Sequence, residues 1–413
     1  MPTCAGIDFG TTNSVVTVAT PGGGLASARI ETRVLDVFRT VLCFWTQSGQ
    51  VAHAAGPSAL LQYQDDPFDT RLMMSLKTYL AQRSFSQTQV FGRVMSLEDL
   101  VGMFLRALLL EADLPPGSRI VAGRPVRFAG ERADDAFGEA RLREAYRRSG
   151  VGEVTLALEP VAAGIGFTRG LTAAATLLVG DFGGGTSDFS LLRFEPGGAQ
   201  PVSVLGSTGL GIAGDTFDTR IIDQAIAPLL GKGGSYAPGS TPLPIPPEYY
   251  SGFAQWHRLS LMRAPRTLRD IAAVARYAAH PEQLHTLIRL IEDEAGYALY
   301  GAVSAAKTAL SEADRTVLRF DQSGLVVERT IERTEFEGWI APEMRQIGEA
   351  VDRLLQETSV SPAEIDRVFL TGGTSFVPAV RAVFTQRFDP ARVSAGGEFT
   401  SVSEGLARMA LQG

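Results

Sequence analysis

Two stretches of the chain repeat one order of apolar and polar positions. Each is an apolar strand ending in aspartate, a Gly/Thr turn and a second apolar strand. The first is GIDFGTTNSVV, Gly6 to Val16; the second is VGDFGGGTSDFSLL, Val179 to Leu192. Short apolar runs joined by a glycine-rich turn predict hairpins, so Thr3 to Ala19 reads as strand, turn, strand. The pattern then predicts a strand at Val41 to Trp45, a polar turn at Gln47–Gln50 and a short return strand from Gln50 to His53. Helices are predicted at Asp69 to Ala81, carrying Lys77, and at Leu97 to Ala112, stopped by Pro115–Pro116. A buried strand at Arg119 to Gly123, a helix at Glu131 to Ser149 and a strand at Val154 to Leu158 follow. Glu159–Pro160 opens the next helix.

Beyond Leu171–Ala175 come the second hairpin, a strand at Val202 to Gly206 and a helix at Thr216 to Leu230 ending at Gly231. Gly231 to Pro247 is rich in Gly and Pro and reads as a loop. A helical stretch from Glu248 to Ser311 breaks at Pro265 and Pro281. It precedes a hairpin (Val317–Phe320, Leu325–Ile331), a helix at Arg333 to Thr358 and a strand at Arg367 to Leu370. That strand enters Thr371-Gly-Gly-Thr374, before a helix from Pro378 and a last one at Ser403 to Leu411. Alternating strands and helices predict an α/β protein, with mixed sheets because both hairpins are antiparallel. The pattern divides into lobe I, 1–173, with a smaller subdomain at about 40–117, and lobe II, 174–413. Lobe II is expected to carry a mostly helical subdomain at about 231–311, and the C-terminal helix to pack back toward lobe I.

Composition narrows the function classes. At 413 residues, 45% hydrophobic and 20% charged, the chain is that of a globular protein with more than one core. A formal net charge of −7 argues against a nucleic-acid surface. Cys4 and Cys43, the two cysteines, sit in apolar runs as small buried side chains. His280 and His285 lack metal-ligand spacing. The N-terminus shows no secretory signal pattern, and no window is apolar enough to span a membrane. A cytoplasmic protein without a membrane partner is expected.

The chemistry sits in the turns. Glycine-rich turns present backbone N–H groups to an anion, so Gly10, Thr11, Thr12 and Asn13 are candidates for one side of a phosphate chain. Gly183, Gly184, Gly185 and Thr186 are candidates for the other. Asp8 and Asp181 end buried strands and suit a hydrated Mg²⁺, an oxygen-seeking cation.

GIDFGTTNS, Glu159-Pro160, DFGGGTSD and LTGGTSFVP together resemble the phosphate, connecting and adenosine motifs of the actin-like ATPase superfamily, and most of all the DnaK-type seventy-kilodalton heat-shock chaperones. The resemblance implies a duplicated actin-like (ribonuclease H-like) fold, with two lobes around a central nucleotide cleft, and ATP/ADP with Mg²⁺ as cofactors. It implies that Lys77 reaches the γ-phosphate and that Glu159 orients the attacking water. Asp8, Asp181, Thr186 and Asp188 complete the implied catalytic set. It places Gly214 and Asp215 near ribose and phosphates, Lys307 and Ser311 at adenine, and Gly372, Gly373, Thr374 and Ser375 against the adenosine. Ser304, Thr308 and Phe399 depart from the family pattern on the adenosine side. Pro125 matches a proline that couples nucleotide state to a peptide domain in the chaperones; here a structural role is expected for it.

The resemblance runs to nearly the C-terminus, soon after Met409, and an ATPase-only architecture without the peptide-binding domain is expected, which resembles the short YegD-type putative chaperones. The implied function is Mg-dependent ATP binding and slow hydrolysis to ADP and phosphate, with lobe closure read by a protein partner of unknown identity. The alternatives are a nucleotide-gated binding module with negligible catalysis, a small-molecule kinase of the same superfamily, and a filament former.

Overall fold

The computed structural model describes residues 3–19, 25–27, 37–66, 69–115, 117–129, 133–151, 154–168, 171–196, 202–254, 262, 264–293, 295–395 and 400–412. Two compact units emerge. The first joins Met1–Gly214 to Met344–Gly413, and the second is Asp215–Glu343. The boundary expected at 173/174 falls inside the first unit, between its two sheets.

Those sheets are built alike. The first contains β1 (Cys4–Phe9), β2 (Asn13–Ala19), β3 (Leu25–Ser27), β4 (Arg119–Arg124) and β5 (Thr155–Leu158), in the order β5-β4-β1-β2-β3. The second contains β6 (Ala175–Phe182), β7 (Ser187–Phe194), β8 (Val202–Leu210), β9 (Arg367–Thr371) and β10 (Val393–Ala395), in the order β10-β9-β6-β7-β8. In each, an antiparallel hairpin carries a third antiparallel strand on its second arm. Two parallel strands flank its first arm. Both sheets are therefore mixed, and the duplication seen in the hairpins extends to whole sheets. Phe38–Arg39 adds a short pairing to β2.

Two helices fill the space between the sheets. α1 (Glu159–Phe167) lies on β6 and β7, and α2 (Ser401–Gln412) lies on β1, β2 and β4. Their crossing is close because small residues face each other: a Cβ at Gly405 would sit 1.8 Å from the carbonyl oxygen of Ala162. Hydroxyl pairs tie α2 to both sheets, Thr17 to Ser403 at 2.8 Å and Thr371 to Ser401 at 2.6 Å. Burial on both faces explains why β1 and β6 read as near-continuous apolar runs.

A second core lies beside the first sheet. A three-stranded sheet (Val41–Gln47, Gln50–Ala55, Thr70–Met74) accompanies the helix Leu97–Glu111, which starts in a Ser96/Asp99 capping box and packs on the helix Asp135–Ser149. Phe104 packs against Phe9 and Phe38.

Three expectations need correction. Asp69 to Ala81 is not a helix. Thr70–Met74 is a strand paired with Val41–Trp45, and Leu76–Tyr79 is a single 3₁₀ turn. A short apolar run reads as helix or strand alike, and the partner strand decides. Thr216 to Leu230 is not one regular helix: an α-helix over Gly214–Ile221 widens to π at Ile222–Ile226 and tightens to 3₁₀ at Ala227–Leu230. Pro228 cannot donate into a regular ladder, which accounts for the break. The helix expected from Glu131 starts at Asp135, where the Asp134 carboxylate accepts the Phe137 N–H; Glu131 itself lies outside the described residues.

The second unit holds Pro265–Ala275, Pro281–Glu292 and Gly296–Glu312 as helices, and a hairpin of Arg315–Gln322 with Leu325–Glu332. The Gly/Pro-rich loop contains one minimal pairing, Ser235–Tyr236 with Leu243–Pro244. No helix among the described residues is long and apolar enough to cross a membrane.

Candidate phosphate cleft

Within the first unit the tips of the two predicted hairpins meet. A Cβ at Gly185 would lie 3.3 Å from the Thr11 hydroxyl and 3.8 Å from that of Thr78, so a side chain there would enter the space the tips enclose. Asp8 and Asp181 are the penultimate residues of β1 and β6; both are partly open to solvent. Thr12 and Asn13 are likewise half-buried at the first tip, where Arg39 donates to the Asn13 side chain at 2.9 Å.

Lys77 arrives from the other core. Ser75 takes a left-handed conformation (φ 51°) after the strand Thr70–Met74, an uncommon backbone state for a non-glycine residue. The 3₁₀ turn that follows buries Lys77, whose ammonium donates to Glu159 Oε1 at 2.7 Å. Glu159 is the first residue of α1, after the extended Leu158 and before Pro160. Its carboxylate thus sits at a helix N-terminus, which favours negative charge. A Cβ at Gly123 would come within 2.9 Å of Glu159 Cγ, so the glycine before Arg124-Pro125 keeps room for this side chain.

Four carboxylates share this one lysine. Burial and the neighbouring charge of Glu159 push Asp8 well above the usual carboxylate range, and Asp181 adds to the rise. Burial, then Glu159 and Asp188, raise Asp181 to about 8. Burial and Glu159 raise Asp188 to about 7, although the Arg127 N–H and the Thr186 hydroxyl pull it back. Burial acts to lower the Lys77 ammonium, but Glu159, Asp8 and Asp181 outweigh it and hold it above the ordinary lysine value. Close carboxylates this short of compensating charge are poised to accept cations.

Asp188 stands differently from the other acids. It is 1% exposed, and its Oδ1 accepts the Val126 and Arg127 N–H groups at 2.9 and 3.2 Å. It therefore ties the loop after Pro125 to the second hairpin. The Gly183 carbonyl is a further junction: it accepts the Gly214 N–H at 3.4 Å and the Thr374 hydroxyl at 3.2 Å. Gly372 takes φ +84°, where a Cβ would lie 2.1 Å from the Phe182 carbonyl oxygen, so only glycine fits. Gly373 is exposed, whereas Ser375 is buried and bonds the Gly372 carbonyl at 2.7 Å.

The structure thus brings together Asp8, the Gly10–Asn13 turn, Lys77, Glu159, Asp181, the Gly183–Thr186 turn, Asp188, Gly214 and the Gly372–Ser375 turn in one unit. Asp215, Lys307 and Ser311 belong to the second unit. There Lys307 pairs with the buried Asp218 at 2.8 Å, the Ser311 hydroxyl bonds its own helix, and Tyr300 donates to Asp215 at 3.4 Å. Of the departures on the adenosine side, Thr308 bonds the Ser304 carbonyl; Phe399 lies outside the described residues. Sequence reasoning missed Gly123, the Val126 and Arg127 amides and Ser75. Only Gly123 left a readable sign, a glycine at a strand end before Arg-Pro.

Two mixed sheets of one topology, each offering a glycine turn and an aspartate, define a duplicated α/β protein of the actin-like class. Comparison with known proteins is more specific. The family described as Hsp70 protein matches residues 140–232 and 273–395, and the chain belongs to that family. It is 26% identical over 402 residues to a chaperone protein HscA homolog of Bordetella petrii, covering 93% of this chain and 54% of the relative. It is 26% identical over 409 residues to the chaperone protein DnaK of Deinococcus radiodurans (93% and 55%). The match to HscA of Serratia proteamaculans is 29% over 401 residues (91% and 53%). The chain spans about half the length of these relatives, and its fold is the actin-like α/β fold of the Hsp70 ATPase domain.

Proposed function

We propose that the first unit binds the phosphates of ATP or ADP with Mg²⁺ and hydrolyses ATP slowly, in a chaperone-like protein that signals nucleotide state to a protein partner in the cytoplasm. The observation that carries this reading is the approach of the two glycine turns, Gly185 to Thr11, in the unit that holds the buried Lys77–Glu159 pair, Asp8 and Asp181. The two sheets, divided near residue 173, are the lobes in this reading, each supplying one turn.

The oxygen-only set of Asp8 and Asp181 suits a hydrated Mg²⁺, which would sit on their side and neutralise phosphate charge. The backbone N–H groups of Gly10–Asn13 and Gly183–Thr186 bind phosphate oxygens. Lys77 brings a positive charge to the terminal phosphate, and Glu159 accepts a hydrogen bond from, and so orients, a water. Phosphoryl transfer asks mainly for alignment and charge neutralisation, and these residues supply both. Asp188 acts through the loop it holds.

The test is ADP binding and phosphate release from ATP by the purified chain, with Mg²⁺ and with EDTA. Mg-dependent binding with slow phosphate release is expected. Lys77→Ala should keep binding and lose release, and Asp181→Ala should lose the Mg²⁺ dependence. No nucleotide binding, or unchanged release in Lys77→Ala, would overturn the assignment.

A further inference from the structure

The short pairing of Phe38–Arg39 with β2 fixes the side of the first sheet on which each side chain stands. Ser14 lies opposite Phe38, and Asn13 lies opposite Arg39. Phe38 belongs to the core that holds Ile7, Phe9 and Phe104, and the Ser14 and Thr40 hydroxyls meet at 2.8 Å. Those residues mark one face. Successive side chains of a strand alternate, so Asn13 and Arg39 belong to the other. Asp8 stands opposite Val15 and Gly6 opposite Thr17, and the Thr17 hydroxyl meets that of Ser403 on α2 at 2.8 Å. Asp8, Asn13 and Arg39 therefore share the face that carries α2, and Asn13 closes the first glycine turn. Arg39 donates to the Asn13 side chain at 2.9 Å, a neutral acceptor that takes one of its five N–H donors. Arg141, Arg148 and Arg387 each have a carboxylate partner; Arg39 makes no ion pair among the described residues.

A guanidinium held beside a phosphate turn without a carboxylate is suited to an anion. Lys77 is already engaged with Glu159 at 2.7 Å, and a nucleotide brings further negative charge to the cleft. The planar fork of arginine matches phosphate oxygens, and a hydrogen bond between ionised groups is roughly twice as strong as a neutral one. We propose that Arg39 is a second cationic ligand of the nucleotide, whose remaining N–H groups bind an oxygen of the phosphate chain. This rests on the reading of the cleft given under Proposed function. The Asn13 side chain then orients the fork. The Thr40 N–H, which donates to the Thr12 carbonyl at 2.9 Å, fastens the cation's strand to the turn it serves.

The experiment is ADP affinity in Mg²⁺, measured by calorimetry at low and at raised salt, for the full chain, Arg39→Ala, Asn13→Ala and the double variant. Arg39→Ala is expected to bind about tenfold more weakly than the parent, and the double variant about tenfold more weakly than Asn13→Ala. Raised salt is expected to weaken the parent more than Arg39→Ala, because one contact between charges is gone. Arg39→Gln, which removes the charge but keeps a donor for Asn13, should repeat the loss. Affinity equal to the parent's in Arg39→Ala would overturn the proposal, as would equal salt dependence. A loss that vanishes in the Asn13→Ala background would overturn it too, since Arg39 would then act only by holding Asn13. Where Asn13→Ala does not fold, Arg39→Gln and the salt comparison decide. A parent chain with no Mg-dependent ADP binding would instead remove the cleft reading itself, and is told apart because it needs no variant.

Discussion

Replacing Asp188 by asparagine should make the nucleotide-free protein more stable at pH 8, with a gain that shrinks as pH falls and vanishes only below about pH 4. The carboxyl is 1% exposed and lies beside Glu159. Burial and that neighbour carry it from an ordinary 3.8 to about 7. The unfolded chain releases this proton as pH rises through about 4, whereas the folded chain keeps it until about pH 7. Between those values the folded state binds more protons, so its stability falls as pH rises, and above them the penalty is full. At about 1.4 kcal/mol for each tenfold change in proton affinity, the ceiling is about 4 kcal/mol. Sharing of charge with Glu159 reduces the expected gain in Asp188→Asn to about 2 kcal/mol at pH 8. Asparagine keeps an oxygen for the Val126 and Arg127 N–H groups, which the carboxylate now accepts at 2.9 and 3.2 Å, so the loop stays tied. The assay is the urea midpoint of parent and variant from pH 3.5 to pH 8. A difference independent of pH, or a variant less stable than the parent at pH 8, would refute the argument that a buried, ionised Asp188 strains the empty cleft.

Gly405→Ala drives a methyl group into the backbone of Ala162, and a loss of about 3 kcal/mol in urea unfolding is expected, because neither crossing helix can yield without disturbing its sheet. Gly338→Ala is the matched control: nothing lies within 4 Å of its Cβ position in the helix Arg333–Thr358. A gain of about 0.5–1 kcal/mol is expected there, read by the same denaturation. Arg39→Ala removes the donor that holds the Asn13 side chain at 2.9 Å; ADP affinity in Mg²⁺ should fall by about threefold to tenfold, as for one lost charge-assisted hydrogen bond, with the urea midpoint little changed.

The strands bearing Asp8 and Asp181, and the turns after them, were legible in the sequence because their causes are local. An apolar run, an aspartate and a glycine turn specify a hairpin whatever surrounds them. Their repetition announced the duplication, which the matching strand orders extend to whole sheets. Long helices such as Arg333–Thr358 were equally plain, since many turns of one pattern leave little ambiguity. Resemblance, rather than periodicity, singled out Lys77 and Glu159.

What the chain could not show by itself are the relations among distant residues. Thr70–Met74 is a strand because Val41–Trp45 lies beside it, and the bend at Ser75 that buries Lys77 follows from that pairing. The amides that hold Asp188 belong to Val126 and Arg127, 62 and 61 residues earlier in the chain, and a backbone N–H carries no sequence signature. Tyr146 looks in the sequence like one more large residue of an ordinary helix; only packing encloses it and leaves its hydroxyl without a partner among the described residues. Local propensity chooses elements, but burial, charge neighbours and orphaned donors are properties of the assembled core. The tertiary structure alone therefore decided which acids share a lysine and which glycine makes room for them.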